Sequence, residues 1–405
     1  MLYRVEVENF YSIREPQVID LRVAANVPDI PGRFAPAWAS SKERVPKTIA
    51  IFGANASGKS TVLKIVAFLS NFILHSFAAQ PTQRIMFDRF NDVEAFGKPA
   101  RFAVELGAPI DLSGPSSPNP PTCRYRYELE IGGPANGQAH VIRESLFYWP
   151  ERNGKRQALF QRRHNGTVSA PERFHLGPFK APLQTVLRPN ASVISTLYQL
   201  KHPQATRIWE AVSTVISNIF IERAEVSDAH MAKNYAQFPT QLQLLNREIS
   251  RIDLGVKEVH IVQGSGGPSF QFVHDNLAVP MPLYLESAGT RQFVKLYPMI
   301  AQVLSTGGVL LLDEMDASIH PMVLPEILRW FHNPQRNPAN AQLWMTCHNA
   351  SLLDTLVKEE VLFTQKDSAG RTSIFGLTDI AGVRREDNFY KKYLSGLLGA
   401  VPQIG

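Results

Sequence analysis

Apolar and polar residues alternate at the start of the chain. Tyr3, Val5 and Val7 interleave with Arg4, Glu6 and Glu8, which predicts a half-buried strand over residues 2–10. A second strand is expected at 17–23, and the proline-rich stretch 24–46 reads as a loop. Thr48–Phe52 is a short apolar run that ends in a glycine-rich turn. From Ser60 to Phe77 the apolar residues Val62, Leu63, Ile65, Val66, Leu69 and Phe72 recur at helical spacing. The pattern then changes. Arg101–Leu106, Arg124–Ile131, Val141–Trp149 and Ala158–Arg162 predict consecutive strands of an antiparallel meander, broken at GGPANG and ERNGK turns. The stretch 108–121 is rich in proline and serine and reads as an exposed loop. Residues 191–222 and 228–250 read as helical, without sustained heptads. From Val309 onward strand and helix alternate again, which gives the last third α/β character. No internal repeat is present. The expected organisation is 1–107 as the first part of an α/β lobe, 108–190 as its antiparallel meander, 191–275 as a helical insertion, and 276–405 as the C-terminal α/β part.

Four short motifs sit at the ends of these elements. Gly53, Ala54, Asn55, Ala56, Ser57, Gly58, Lys59 and Ser60 match GxxxxGK[ST] between a predicted strand and a predicted helix, with Thr61 following. Glycines let the backbone curl its N–H groups around phosphate oxygens, and the helix presents its positive end to the same anion. Lys59 would neutralise phosphate charge, and the Ser60 hydroxyl is placed to ligate a divalent cation. Val309–Leu312 forms a buried strand ending in Asp313 and Glu314. Asp313 is a candidate for the Mg²⁺ shell and Glu314 for the general base that polarises water. Glu286, Ser287, Ala288, Gly289 and Thr290 precede a helical stretch. They form an anion cradle or, read alone, an ordinary helix N-cap. His348 follows Thr346 and Cys347 at the end of an apolar strand. It is a candidate hydrogen-bond donor to a γ-phosphate, although a lone histidine in such a place also serves as a structural residue.

Composition narrows the classes. The formal net charge is +6 over 405 residues, which permits contact with nucleic acid or an acidic partner without requiring it. Basic residues gather at Arg152, Lys155, Arg156, Arg162 and Arg163, and again at Arg384, Arg385, Lys391 and Lys392. They read either as solvated faces or as an electrostatic docking surface. The two cysteines, Cys123 and Cys347, make no disulfide framework and suggest a reducing cytoplasm. The chain shows no signal-peptide core and no uninterrupted run of about 18 apolar residues, so no membrane span is expected.

The order of the motifs carries more than any one of them. A Lys59 loop, a long insertion, Ser287–Gly289, Asp313–Glu314 and His348 resemble Walker A, signature, Walker B and switch histidine of ABC-type ATPases. The resemblance implies an α/β fold: an ABC-type P-loop ATPase head with an antiparallel β lobe and a helical insertion. The opening YRVEVENFYSI resembles the first strand of SMC-like and OLD-like ATPases. Asp313-Glu-Met-Asp-Ala-Ser-Ile-His320-Pro321 is similar to the Walker B of bacterial AAA-family proteins of the abortive-infection group (the RloA and AbiLii type). Arg188-Pro-Asn-Ala191 and the tail from Tyr393 to Pro402 resemble the same group. The resemblance implies ATP and Mg²⁺ as cofactors, with ATP held between two heads of a homodimer. The signature turn of one chain would then cap the phosphate held by the Lys59 loop of the other. It places His320 on the turn that crosses the dimer interface, and it makes Gln83, the first glutamine after the Walker A helix, the candidate for a metal or water contact.

The signature departs from LSGGQ, so its place carries the assignment more than its letters. The chain lacks the long coiled coils of chromosome ATPases. The 57 residues after His348 are few for a nuclease domain and show no acidic cluster for two-metal cleavage. The expectation is an ATP-driven sensor or scaffold for a separate effector, a nuclease or toxin, in anti-phage defence. The alternatives are a DNA-repair ATPase and a slowly hydrolysing nucleotide-gated scaffold.

Overall fold

The computed structural model describes residues 1–38, 41–111, 121–133, 138–150, 154–223, 226–252, 255–275, 277–317 and 319–401. Most of the 108–121 loop, the tips of the GGPANG and ERNGK turns, Arg152, Ser318 and Pro402 lie outside these residues.

A six-stranded sheet divides the molecule. Its strands run in the order Val215–Ser217, Val309–Leu312, Gln342–Thr346, Thr48–Gly53, Val361–Lys366 and Thr372–Gly376. The first five are parallel and the last is antiparallel to its neighbour. The central strands Val309–Leu312, Gln342–Thr346 and Thr48–Gly53 are buried at every position because both faces are covered. Ile49, Ile51, Val309, Leu311, Trp344 and Leu362 enter one core. Ala50, Phe52, Leu310, Leu312, Leu343, Met345 and Phe363 enter the other. The period of two in a strand thus assigns each residue of a continuous apolar run to one side.

The helix Lys59–His75 packs between this sheet and a seven-stranded antiparallel sheet formed by Leu2–Glu8, Gln17–Asp20, Ala100–Pro109, Thr122–Gly132, His140–Trp149, Gln157–Arg162 and Val168–Ser169. Together with the turn that follows, Lys59–Ala78 is long and apolar enough to cross a bilayer by composition, with a mean hydropathy of 1.5. No uninterrupted apolar run spans it, because Lys64, Ser70 and Asn71 interrupt it. Its apolar face is occupied by the two sheets together with the helices Val193–Gln199 and Pro203–Ser213. The opposite face of the antiparallel sheet is an ion-pair ladder in which Arg126 bonds Glu6, Glu105 and Glu128.

The structure differs from the pattern in four places. The helical stretch 191–222 ends at Ser213 and continues as the strand Val215–Ser217, whose side chains join the parallel sheet. The helix over 228–250 is two helices, Asp228–Gln237 and Pro239–Ile252, since Phe238 precedes a proline and leaves the helical region. The segment 191–275 closes with an antiparallel hairpin, Val256–Gly264 and Gly267–His274, that packs on those two helices. The proline-rich stretch 24–46 also contains a small pair of strands, Phe34–Pro36 and Arg44–Pro46.

Candidate functional site

The strand Thr48–Gly53 and the helix Lys59–His75 hold the glycine loop between them, at the C-terminal edge of the parallel sheet. Gly53 and Gly58 have φ of 155° and 106°. At Gly58 the backbone runs against Thr372, and a Cβ would stand 2.4 Å from its Oγ1. The loop is braced by residues far away in sequence. Ser57 Oγ and Thr364 Oγ1 lie 2.6 Å apart, and Thr372 Oγ1 hydrogen-bonds the Ser57 carbonyl at 2.9 Å. Lys59 folds back on the loop, donating to the carbonyls of Gly53 and Ala54 at 3.0 Å each. Burial lowers the pKa of this ammonium, and the charges of Asp313, Asp316 and Glu314 oppose the shift.

The strand end at Asp313 meets the glycine loop directly. Asp313 Oδ1 accepts from Ser60 Oγ at 2.9 Å and from Thr346 Oγ1 at 2.7 Å. Asn218 fixes the Asp313 backbone from the neighbouring strand end, accepting from its N–H at 2.7 Å and donating to its carbonyl at 3.1 Å. Glu314 then takes φ of 49°, an uncommon conformation that costs a non-glycine residue roughly 1–3 kcal/mol. Its N–H is satisfied by Thr346 Oγ1 at 2.7 Å, and its carboxylate is exposed and meets Arg223 Nη1 at 2.8 Å.

A cleft of about 1320 Å³ joins these groups. Asn55, Ala56 and Gly58–Thr61 line its floor. Glu314, Asp316 and His348 stand at one end, and Tyr11, Ser12, Lys366 and Gly370 also line it. Ser12 Oγ reaches both Thr61 Oγ1 at 3.3 Å and Thr372 Oγ1 at 2.9 Å. The cleft therefore extends from the glycine loop to the first strand turn and the C-terminal hairpin.

Ser287 and Gly289 take no part in this cleft. Ser287 caps the helix Ala288–Thr306, its Oγ accepting from the Thr290 N–H at 3.0 Å. The preceding Glu286 is buried and accepts from His274 Nε2 at 2.7 Å, which ties the turn to the hairpin. Tyr284 and Leu285, just before it, are exposed. His320 is exposed, and its Nδ1 accepts from the Met322 N–H at 3.2 Å.

Gln83 does not line this cleft. Its side chain accepts from the Gln80 N–H at 3.2 Å, and Asn190 Nδ2 holds the carbonyls of Gln80 and Gln83. This turn keeps Gln83 out of the cleft. The same segment reaches the cleft only at Asp88–Asn91. Arg162 is likewise no surface cation. It is 2 % exposed and donates to the carbonyls of Ala191 and Arg188. Arg385 and Lys392 pair with Glu359 and Asp387. Arg223, Thr364 and Thr372 escaped the sequence reading because no local spacing links them to the motifs, and Asp316, although inside the Asp313–Pro321 run, carried no role there.

The family model described as "AAA domain, putative AbiEii toxin, Type IV TA system" matches residues 49–354. No curated protein sequence matches the chain. Similar solved structures include the SmcHead bound to the C-winged helix domain of ScpA, at 12% identity and a TM-score of 0.47, covering 93% of this chain and 97% of that one. The SMC head domain from Thermotoga maritima is similar at 14% identity and a TM-score of 0.38, covering 93% and 98%. The Smc head domain with an extended coiled coil, bound to the C-terminal domain of ScpA from Pyrococcus furiosus, is similar at 12% identity and a TM-score of 0.43, covering 98% and 99%.

Proposed function

The chain belongs to the AAA-domain family whose model spans residues 49–354, as an ABC/SMC-like P-loop ATPase, and from that premise we propose that it hydrolyses ATP in a site closed by a second copy of itself. The observation that carries the proposal is the separation of two anion cradles. The Lys59 loop shares one cleft with Glu314 and His348 and holds the buried Asp313 through Ser60, while the Ser287 turn lies outside that cleft. A turn that cannot reach its own chain's phosphate is free to serve another's. Exposed Tyr284 and Leu285 beside it supply apolar surface for such a contact.

The residues fit ATP with Mg²⁺. Ser60 and Asp313 bring two hard oxygen donors together at 2.9 Å, and the glycine loop leaves no room for a Cβ at Gly58. When bound, Mg²⁺ would neutralise charge on the phosphates. Lys59 would exchange its two carbonyl partners for phosphate oxygens, at little desolvation cost because it is already buried. Glu314, once free of Arg223, would accept the proton of the attacking water. His348 would orient the terminal phosphate from the other side of the sheet edge. Ser287 and Gly289 of the second chain would cap it.

Hydrolysis would reopen the dimer, and that motion would gate a separate effector, a nuclease or toxin, in defence against phage, in the cytoplasm. The toxin–antitoxin wording of the family description supports a role of this kind. A second reading, a slowly turning scaffold, is favoured by the 2.8 Å Arg223–Glu314 ion pair, which occupies the base. The Glu314→Gln variant tests the primary reading. It should bind ATP as a persistent dimer while turnover falls by about 10²–10⁴-fold. Unchanged turnover would remove Glu314 from the mechanism.

A further inference from the structure

The turn after Glu314 carries a carboxylate that the chemistry above leaves unused. Asp316 Oδ2 accepts the backbone N–H of His348 at 2.7 Å and that of Asn349 at 2.6 Å. Hydrogen bonds to an ionised acceptor are roughly twice as strong as neutral ones. Both end on one oxygen, so they fix the path of the chain as it leaves the strand Gln342–Thr346. Two further bonds join the same segments: the Glu314 N–H donates to Thr346 Oγ1 at 2.7 Å, and the Met315 N–H to the Thr346 carbonyl at 3.3 Å. Three consecutive residues after the Walker B strand are thereby laced to residues 346–349. The buried Cys347 thiol lies against the same carboxylate; burial first and the Asp316 charge second push its pKa up. Beyond Asp316 the chain lines the cleft at Ala317 and reaches the exposed His320 and Met322.

We propose that Asp316 is a positioning residue that sets the place of His348 and ties it to the turn leading to His320. Displacement of that turn when two chains close would move the histidine with it. The proposal rests on the reading above that His348 meets the terminal phosphate. Removing Asp316 should then act on turnover mainly through His348, with only the small loss of its charge felt at Lys59, and leave the shape of the glycine loop as it is.

The test combines steady-state ATP turnover, ATP affinity and amide hydrogen exchange in the full chain. Asp316→Ala should keep ATP affinity within about threefold and lower kcat at least about tenfold. The double variant with His348→Ala should be no slower than His348→Ala by itself, because both changes remove one function. Asp316→Asn keeps a carbonyl oxygen for the two N–H groups and should fall between wild type and alanine. It carries the same cycle should the alanine variant not fold. In the nucleotide-free protein the amides of His348 and Asn349 should exchange at least about tenfold faster in Asp316→Ala, with the glycine loop unchanged. Multiplicative losses in the double variant, a parallel loss of ATP affinity, or unchanged exchange at 348–349 would each overturn the assignment. A wild-type chain without turnover would defeat the hydrolytic reading instead, and the exchange measurement would still decide whether Asp316 holds His348.

Discussion

Replacing Gly58 by alanine perturbs the phosphate loop at the point where the structure leaves it least room. Two costs add. The φ of 106° lies where a side chain is disfavoured, at roughly 1–3 kcal/mol. The new Cβ would also stand 2.4 Å from Thr372 Oγ1 and 2.7 Å from its Cγ2, and such overpacking costs about 1–3 kcal/mol. The total of about 2–6 kcal/mol falls on the loop shape that holds phosphate. ATP affinity should therefore drop at least about thirtyfold. Calorimetric titration of ATP into the Glu314→Gln background measures this without turnover. Thr372→Ala removes the two nearest atoms, so combining it with Gly58→Ala should recover the steric share and leave the conformational one. The expected coupling is about 1–3 kcal/mol, measured against Thr372→Ala by itself, because that residue also braces Ser12 and Ser57. Wild-type affinity in Gly58→Ala, or no coupling to Thr372, would refute the contact as the cause.

Three other outcomes are expected. Arg223→Ala frees the Glu314 carboxylate and should raise basal turnover several-fold if the ion pair restrains the base, whereas a fall would make Arg223 a supporting group; steady-state kinetics at two salt concentrations separates the cases. Gln83→Ala should leave ATP affinity and turnover within about twofold of wild type, as its side chain bonds the Gln80 N–H away from the cleft. The Arg126 hydrogen bonds, with burial opposing them, hold Glu6 down to about 2, below its ordinary 4.5. A depressed carboxylate contributes stability above its unfolded pKa and loses it as pH falls, so urea midpoints should decline between about pH 4.5 and 2, and Glu6→Gln should flatten that decline by about 2 kcal/mol.

Part of the site was legible because its chemistry is contiguous. Eight residues from Gly53 to Ser60 both curl the loop and start the helix, and four apolar residues set Asp313 and Glu314 at a strand end. Order along the chain supplied the relation between these motifs. The supports were not legible. Thr364 and Thr372 brace Ser57 from more than 300 residues away, and a threonine in a hairpin carries no mark of its partner. The Arg223–Glu314 pair and the Asp316 clamp are likewise tertiary. Gln83 is the opposite case: its place after the Lys59–His75 helix suggests a role, while Asn190 holds its turn through the carbonyls of Gln80 and Gln83. The hairpin Val256–His274 was signalled by Gly264–Gly267 between two alternating runs, a cue outweighed by the helical pattern before it.

The central claim is that each ATP site needs a Lys59 loop from one chain and a Ser287 turn from another. Mixing two inactive variants tests it directly. Lys59→Ala keeps the turn and loses the loop; Ser287→Arg keeps the loop and blocks the turn. Each should be inactive by itself. An equimolar mixture should recover about a quarter of wild-type turnover, since half the dimers are mixed and each of these holds one complete site. A mixture as inactive as its components, or full turnover by Ser287→Arg without its partner, would contradict a site shared between two chains.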